Sequence, residues 1–534
     1  MNRDTMLDAL QGTTEPWDFV IVGGGATGLG CAVEAASRGY RTLLLEGHDF
    51  AKGTSSRSTK LVHGGVRYLK QGNVALVLEA LKERGLLLQN APHLVTDLPF
   101  VVPSYDWWEG PFYGIGLKVY DLLAGRSGFA TSERLSKEET LQHLPTLEPD
   151  GLRGGTIYYD GQFDDARLAI ALALTAADHG AVVLNYVKVV GLLKADGVVV
   201  GVEARDEETG DEHEIHARTV INATGVWADA VRQMDDADAR SLVTASQGVH
   251  LVLPKSFLPG EAAIMVPKTD DGRVLFAIPW QDRLLVGTTD TPVPEADLEP
   301  RPLAEELDFL MRHAARYLVE DPEPADVLSV FAGLRPLVGK ADDGDTAGIS
   351  REHTLLISPS GLVTITGGKW TTYRKMAEDT IDQAATLAGL EERESVTKTL
   401  HLHGFHPTAD AFGDLQEYGA DAPDVQALIK AIPAYAEPLH PNLAIVRGEI
   451  AWAARNEMAR TVEDALSRRT RALLFDARAS IEVAPVVAAL LAEELGHDDA
   501  WAAEQVVAYR TLAAGYLMDG VDLPDPNSAT ATSG

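Results

Sequence analysis

Residues 18–22 of the 534-residue chain, DFVIV, form a short apolar run that stops at three consecutive glycines, Gly23 to Gly25. Apolar residues then recur at Leu29, Ala32, Val33 and Ala36, a spacing of i, i+3, i+4, i+7 that predicts a helix over 26–38 with one packed face. Gly39 is placed to end it. A second apolar run, Thr42–Leu45, closes a strand–helix–strand unit and is followed by Glu46. From residue 181 the period changes to that of strands. VVLNYVKVVGLLK and GVVVGVEAR flank Asp196-Gly197, a hairpin signal. VLFAIPW and RLLVGTTD flank Gln281-Asp282 as a second hairpin. TVINATG (219–225) and LVTITGGKWTTYRK (362–375) are two further apolar strands ending in small residues. Beyond residue 400 the chain is rich in Ala, Leu, Glu and Arg with helical spacing, as over 450–465, and reads as a separate helical domain. The last stretch, 524–534, is small, polar and expected to be disordered.

Each part of the first unit has a mechanical use. Gly23 permits a tight turn, Gly25 lets the backbone approach a pyrophosphate, and Gly28 lets the helix lie close to the strand. The helix start at Ala26 and Thr27 offers N–H groups and the positive end of a dipole to phosphate. Glu46 lies eighteen residues past Gly28 (46 − 28), near the ~20 expected of an acid that bonds a ribose diol. A nucleotide site is expected here. The nucleotide domain is assembled from separated segments with a strand-rich region between them, an arrangement closer to two-domain flavoproteins than to simple nicotinamide dehydrogenases.

Composition narrows the function. The net charge of −33 disfavours nucleic acid, whose phosphates need a basic footprint. An acidic, lysine-poor surface suits a salt-rich cytoplasm, or equally a GC-rich genome. A single cysteine, Cys31, excludes an internal disulfide and multi-cysteine metal or iron–sulfur centres. The N-terminal 17 residues lack the apolar core of a signal peptide, and no apolar run approaches ~18 residues, so a cytoplasmic protein without a spanning helix is expected.

Three cationic, hydroxyl-rich clusters stand out: 54–69 (TSSRSTKLVHGGVRYL), 331–339 with 349–355, and 366–375. Arg67, Arg335, Arg351 and Lys369 lie in glycine-flanked loops within them and would build a local positive pocket for a small dianion. Pairing with surface carboxylates is the plain alternative. His63, in His-Gly-Gly, is a candidate base or cofactor contact; His250 on a strand is another, and Tyr68 would bond substrate or pack. The HLHGFH run (His401, His403, His406) lacks a carboxylate at fixed spacing, and no metal site is expected.

Together, DFVIVGGGATG, TSSRSTKLVHGGVRYL, FDDARL (163–168), INATG-W, IPW…GTTD, G-RPL, SREH and TGGKWTTYRK, with RNEMARTVEDALSRRTR (455–471), resemble the FAD-dependent glycerol-3-phosphate dehydrogenase family over roughly residues 17–520. The resemblance implies an α/β fold: a Rossmann-like FAD-binding domain with an inserted mixed-sheet substrate domain and a C-terminal all-helical domain. Its divisions are an N-terminal extension (1–16), a discontinuous oxidoreductase region (17–400) with substrate segments near 100–150 and 243–340, a helical cap (401–520) and a tail (521–534). It implies oxidation of sn-glycerol 3-phosphate to dihydroxyacetone phosphate, with hydride passing to flavin N5 and electrons to quinone. A glycerol-phosphate oxidase using oxygen would share every motif, and a related hydroxy- or amino-acid oxidoreductase is a further alternative. FAD contacts are implied for Gly23, Gly25, Ala26, Thr27, Gly28, Glu46, Thr54, Ser55, Ser56, Lys60, Leu61, His63, Ala223, Gly225, Gly368 and Thr371. Substrate contacts are implied for Arg67, Tyr68, Arg335, Arg351 and Lys369, with His63, Arg335 and Lys369 as catalytic groups; His63, His250 and Lys369 remain alternatives for the base. Two positions depart: Gln247 stands where a lysine is frequent, and a bulky Trp370 follows the pocket lysine. A homodimer and peripheral contact with the inner face of the membrane are the expected partners, with the aromatic segment 105–123 (Trp107, Trp108, Phe112, Tyr113) the candidate lipid contact or else core.

Overall fold

The structure is a computed structural model and describes residues 1–65, 73–106, 109–124, 130–267, 269–270, 272–339 and 352–518. Arg67, Tyr68, Arg351, Trp107, Trp108, the side chains of Phe112 and Tyr113, and the 521–534 tail lie outside the described residues.

The apolar runs at Trp17–Val22 and Thr42–Leu45 are buried almost throughout, as strands covered on both faces must be. They pair in parallel at the centre of a sheet ordered Val182–Leu184, Thr42–Leu45, Trp17–Val22, Glu212–Asn222, Val363–Gly367 and His353–Ile357. Only the last pairing on this path is antiparallel. Phe19, Ile21 and Leu44 face one side and pack with Leu29, Ala32 and Ala36 of helix Ala26–Ser37, Leu168 and Leu172 of helix Asp165–Asp178, and Met376 and Ile381 of helix Tyr373–Leu387. Val20, Val22, Leu43 and Leu45 face the other side, under the hairpin Val187–Ala195/Val198–Asp206 and Leu10 of the helix Arg3–Gly12. Both Asp196 (φ 50°) and Gly197 (φ 82°) have positive φ, the demand of the tight turn that the sequence signalled.

The second sheet is mixed. Strands Val243–Pro254, Arg283–Gly287, Leu275–Trp280 and Ala263–Val266 run antiparallel in that order; Ala263–Val266 pairs in parallel with Val95–Ser104, which leads on to Gly154–Phe163 and Leu61–Val62. Ser329–Val338 adds to Val243–Pro254. The C-terminal helices pack mainly against this sheet, with one small cluster of their own at Tyr418, Ala422 and Val425. Ile450, Leu466, Leu473, Val487 and Leu491 share one apolar cluster with Val252, Ile278, Leu285 and Phe331 of this sheet.

Three elements differ from the expectation. The run 182–194 is two strands, broken at Tyr186 (φ 56°): Val182–Leu184 joins the parallel sheet and Val187–Ala195 the hairpin. The helix expected over 450–465 ends at Asn456. There Glu457 turns inward to take both Arg167 nitrogens at 2.7 Å, and Met458 adopts φ 53°; a π-helical turn, Asp464–Arg469, follows. The N-terminal extension contains a helix whose Arg3 is buried on Asp206 at 2.9 Å. Cys31 is a buried side chain of helix Ala26–Ser37, its thiol pushed up to about 12 by burial.

Candidate functional site

A cleft of about 720 Å³ opens where the parallel strands end. Its walls include Gly23, Gly25, Ala26, Thr27 and Glu46 from the first unit; Thr54, Ser55, Leu61 and His63 from the loop after it; Ala223 and Gly225 after Glu212–Asn222; and Gly368, Lys369, Trp370 and Thr371 after Val363–Gly367. Three separate strand ends thus meet on one space, which is where ligands lie in open α/β sheets. From the second sheet come Gly248, His250, Phe276 and Arg335.

The glycines do what their positions demand. Gly23 has φ +109°, and a Cβ there would lie 2.8 Å from the Ala223 carbonyl oxygen. A Cβ on Gly28 would come within 1.9 Å of the Gly23 oxygen, so Gly28 serves close packing of helix on turn and does not line the cleft. Gly25 has no side chain to cap the helix, and the Ala26 N–H donates to Ser55 Oγ at 2.9 Å. Glu46 accepts from Gly24 N–H at 2.6 Å and from His48 N–H at 2.8 Å. Burial raises its carboxyl above the ordinary range, opposed by those two N–H donors.

The cationic set comes from distant segments. Among the described lining residues the lysines and arginines are Lys52, Arg57, Lys188, Arg335 and Lys369, and the carboxylate is Glu46. Arg335 Nη1 lies 3.3 Å from Asp290 Oδ1 and 3.4 Å from the Gln247 carbonyl, and Nη2 donates to Thr288 Oγ1 at 3.2 Å. The Lys369 ammonium is shielded from solvent, at the start of the turn Trp370–Thr372. Trp370 ties this turn to the serine loop by donating to the Ser55 carbonyl at 2.9 Å. His63 donates its backbone N–H to Thr371 Oγ1 at 3.2 Å. His250 stacks on Phe331 with centroids 4.8 Å apart, and its Nε2 is 2.9 Å from Thr59 Oγ1. Burial, then the charges of Arg335 and Lys60, hold His250 well below its usual pKa, so it is neutral.

Two residues named as cofactor contacts face elsewhere. Lys60 is fully buried: its ammonium bonds Asp165 at 2.5 Å and the Ser56 carbonyl at 2.7 Å, and sits 5.2 Å from the Trp280 ring centre. Ser56 Oγ donates to the Ala51 carbonyl at 2.8 Å. Both shape the loop, and neither lines the cleft. The departure at Gln247 is explained too, because its amide donates to Glu306 at 2.7 Å and to the Arg301 carbonyl, away from the cleft. His401 stacks on Phe405, His403 lies between Asp178 (2.6 Å) and Asp421 (2.8 Å), and His406 packs on Phe412. Lys52, Arg57, His48 and Lys188 line the cleft without having been singled out, and so does Trp227, the tryptophan of INATG-W. The first two stand within or beside the hydroxyl-rich cluster; for Lys188, on an ordinary strand, the sequence offers no signal.

Residues 18–374 match the family described as FAD dependent oxidoreductase, and residues 363–502 match the C-terminal domain of alpha-glycerophosphate oxidase. The chain is 42% identical to the mitochondrial glycerol-3-phosphate dehydrogenase of Homo sapiens, over 95% of this chain and 74% of that one. It superimposes on the glycerol-3-phosphate dehydrogenase of Bacillus halodurans, complexed with FAD, with a TM-score of 0.79 and 30% identity over 98% and 99% of the two chains. The L-alpha-glycerophosphate oxidase of Mycoplasma pneumoniae shares the fold at a TM-score of 0.55 and 19% identity, covering 72% of this chain and 98% of that one. The chain belongs to the FAD-dependent glycerol-3-phosphate dehydrogenase family.

Proposed function

We propose that the protein oxidises sn-glycerol 3-phosphate to dihydroxyacetone phosphate with FAD in this cleft, and that the electrons pass on to quinone. The cationic lining carries the reading: in a chain of net charge −33, lysines and arginines from four segments surround a space adjoining a phosphate-binding glycine turn. The residues fit the cofactor. Gly23 and Gly25 leave the room a pyrophosphate needs, and the start of helix Ala26–Ser37 faces it with N–H groups. Glu46 keeps acceptor capacity beyond its two backbone bonds for a ribose hydroxyl. Bound there, FAD would supply the hydride-accepting chemistry that oxidation at C2 needs.

The protein's part is orientation, charge and the proton. Arg335 and Lys369, with Arg67 and Arg351 from the two flanking clusters, take the phosphate dianion. Lys369 and Arg335 also meet the negative charge that grows on the C2 oxygen. The hydroxyl proton goes to an imidazole; His250 and His63 both line the cleft, and His250 is held in the neutral form that accepts it. On the surface, no helix among the described residues is long and apolar enough to cross a membrane. Val119 and Leu122, the latter 80% exposed, project from helix Glu109–Ala124 beside Lys118, which supports a peripheral lipid contact as the route to quinone.

The test is an anaerobic visible spectrum before and after sn-glycerol 3-phosphate. Bleaching of the flavin band is expected, with reoxidation by a soluble quinone faster than by oxygen. A band that persists overturns the substrate, and faster reoxidation by oxygen overturns the acceptor.

A further inference from the structure

The segment 46–53 carries neither helix nor strand, yet it lines the cleft at Gly47, His48, Ala51, Lys52 and Gly53. Ala51 sits at φ +59°, in the left-handed region that disfavours a residue with a Cβ and persists only where the surroundings impose it. In that conformation its N–H donates to the Gly24 carbonyl at 2.9 Å, in the middle of the glycine turn.

Groups from the C-terminal helices bond the residues on either side of it. Two residues before Ala51, buried Asp49 accepts from Arg468 Nε at 2.5 Å, from Arg469 Nη1 and Nη2 at 2.7 and 2.8 Å, and from Asn185 at 3.1 Å. One residue after it, Lys52 pairs with Glu463 and, at 2.5 Å, with Glu299. Glu299 also takes Arg57 at 2.6 Å and the Tyr516 hydroxyl at 2.9 Å. Arg468 returns to Glu463 at 2.6 Å and to Asp464 at 2.7 Å. A buried charge that loses its partner is costly, so these groups favour one joint arrangement and the loop between them follows it.

We infer that the C-terminal helices latch the cofactor loop, with Asp49 and Glu463 as positioning residues that hold residues 46–57 in the shape that binds FAD. The inference rests on the proposed FAD site in this cleft. Neither residue lines the cleft, so neither touches the cofactor. Pairs that merely glued the helices to the rest of the chain would change melting of apo- and holoprotein alike and leave FAD affinity untouched.

Glu463→Gln separates the two. It preserves size and leaves Lys52 with Glu299, and Arg468 with Asp49 and Asp464, so the fold has its other partners. Titrating the apoprotein with FAD, followed by flavin fluorescence, should show the dissociation constant rising about tenfold or more, the low end of what supports behind metal ligands contribute. The melting increment on adding FAD should shrink, while kcat at saturating FAD stays within about twofold, since a positioning residue acts through the loop. Tyr516→Phe, which removes one hydroxyl bond to Glu299 and no charge, should move FAD affinity the same way by less, and it decides the matter if Glu463→Gln fails to fold. A wild-type protein that takes up no FAD would overturn the cofactor site itself. Wild-type binding with unchanged affinity in a folded Glu463→Gln, or in Tyr516→Phe where that variant decides, would overturn the latch.

Discussion

Arg335 reaches the cleft with one edge of its guanidinium already directed. Thr288 and Asp290, just after strand Arg283–Gly287, set its plane. A preoriented fork loses less entropy on meeting a phosphate than a free lysine would. We expect Arg335→Ala to lower kcat/KM with sn-glycerol 3-phosphate by about 10²–10³-fold, from the loss of charge-assisted bonds worth about 1.5–3 kcal/mol each. FAD absorbance should be retained, because the glycine turn does not depend on this side chain; unchanged turnover would remove Arg335 from the site. His250 makes a pH prediction. Its folded pKa lies well below 6.5, so the base form is present above that value and is lost only as pH falls through it. The acid limb of kcat should therefore lie well below pH 6.5. The readout is kcat and not kcat/KM, because the free substrate's phosphate itself titrates near pH ~6. An acid limb at 6.5 or above would exclude His250 as the base.

Whole elements were legible where one physical rule determined them. The first strand–helix–strand unit is all sterics and periodicity, and it formed as read. Gly28 makes that testable: an added Cβ would meet a backbone oxygen at 1.9 Å, which no rotamer change relieves. Gly28→Ala should push the turn out of place, at a cost of about 1–3 kcal/mol, and release FAD during gel filtration. Tight FAD retention in that variant would mean the turn is not the cofactor's cradle. The hairpin at Asp196-Gly197 was readable for the same reason, since two positive φ angles are a local demand. The elements that sequence missed answer to partners far along the chain. Helical spacing runs through Glu457, but Arg167, 290 residues away, draws it inward and the helix stops. The strand 182–194 looks continuous because both halves are apolar; what divides it is that the halves pair with different strands, Thr42–Leu45 and Val198–Asp206. In the site, glycine and hydroxyl clusters line the cleft, whereas the Lys60 side chain turns inward, because composition does not reveal that Asp165 waits for it in the interior.

At the scale of the molecule, charge is distributed in two regimes. Buried carboxylates between the C-terminal helices and the rest are matched: Glu457 to Arg167, Asp164 to Arg471, Asp49 to Arg468 and Arg469. The excess behind the net −33 therefore falls mainly on the surface, where like charges repel one another and weaken the compact state. Salt acts on the two regimes unequally. At about 1 M the screening length is ~3 Å, short enough to silence repulsion between exposed carboxylates, while pairs closed off from water at 2.5–2.8 Å are screened far less. Stability should accordingly rise as sodium chloride is raised from about 0.1 to 2 M, and FAD retention, which the buried pairs support, should hold across the range. Melting followed by flavin fluorescence reads both at once. A melting point that falls with salt would show that screened attractions, not repulsions, dominate the surface, and the acidic composition would then have no role in salt tolerance. A melting point that rises while FAD is lost would place the latch among the solvent-screened contacts, against its burial.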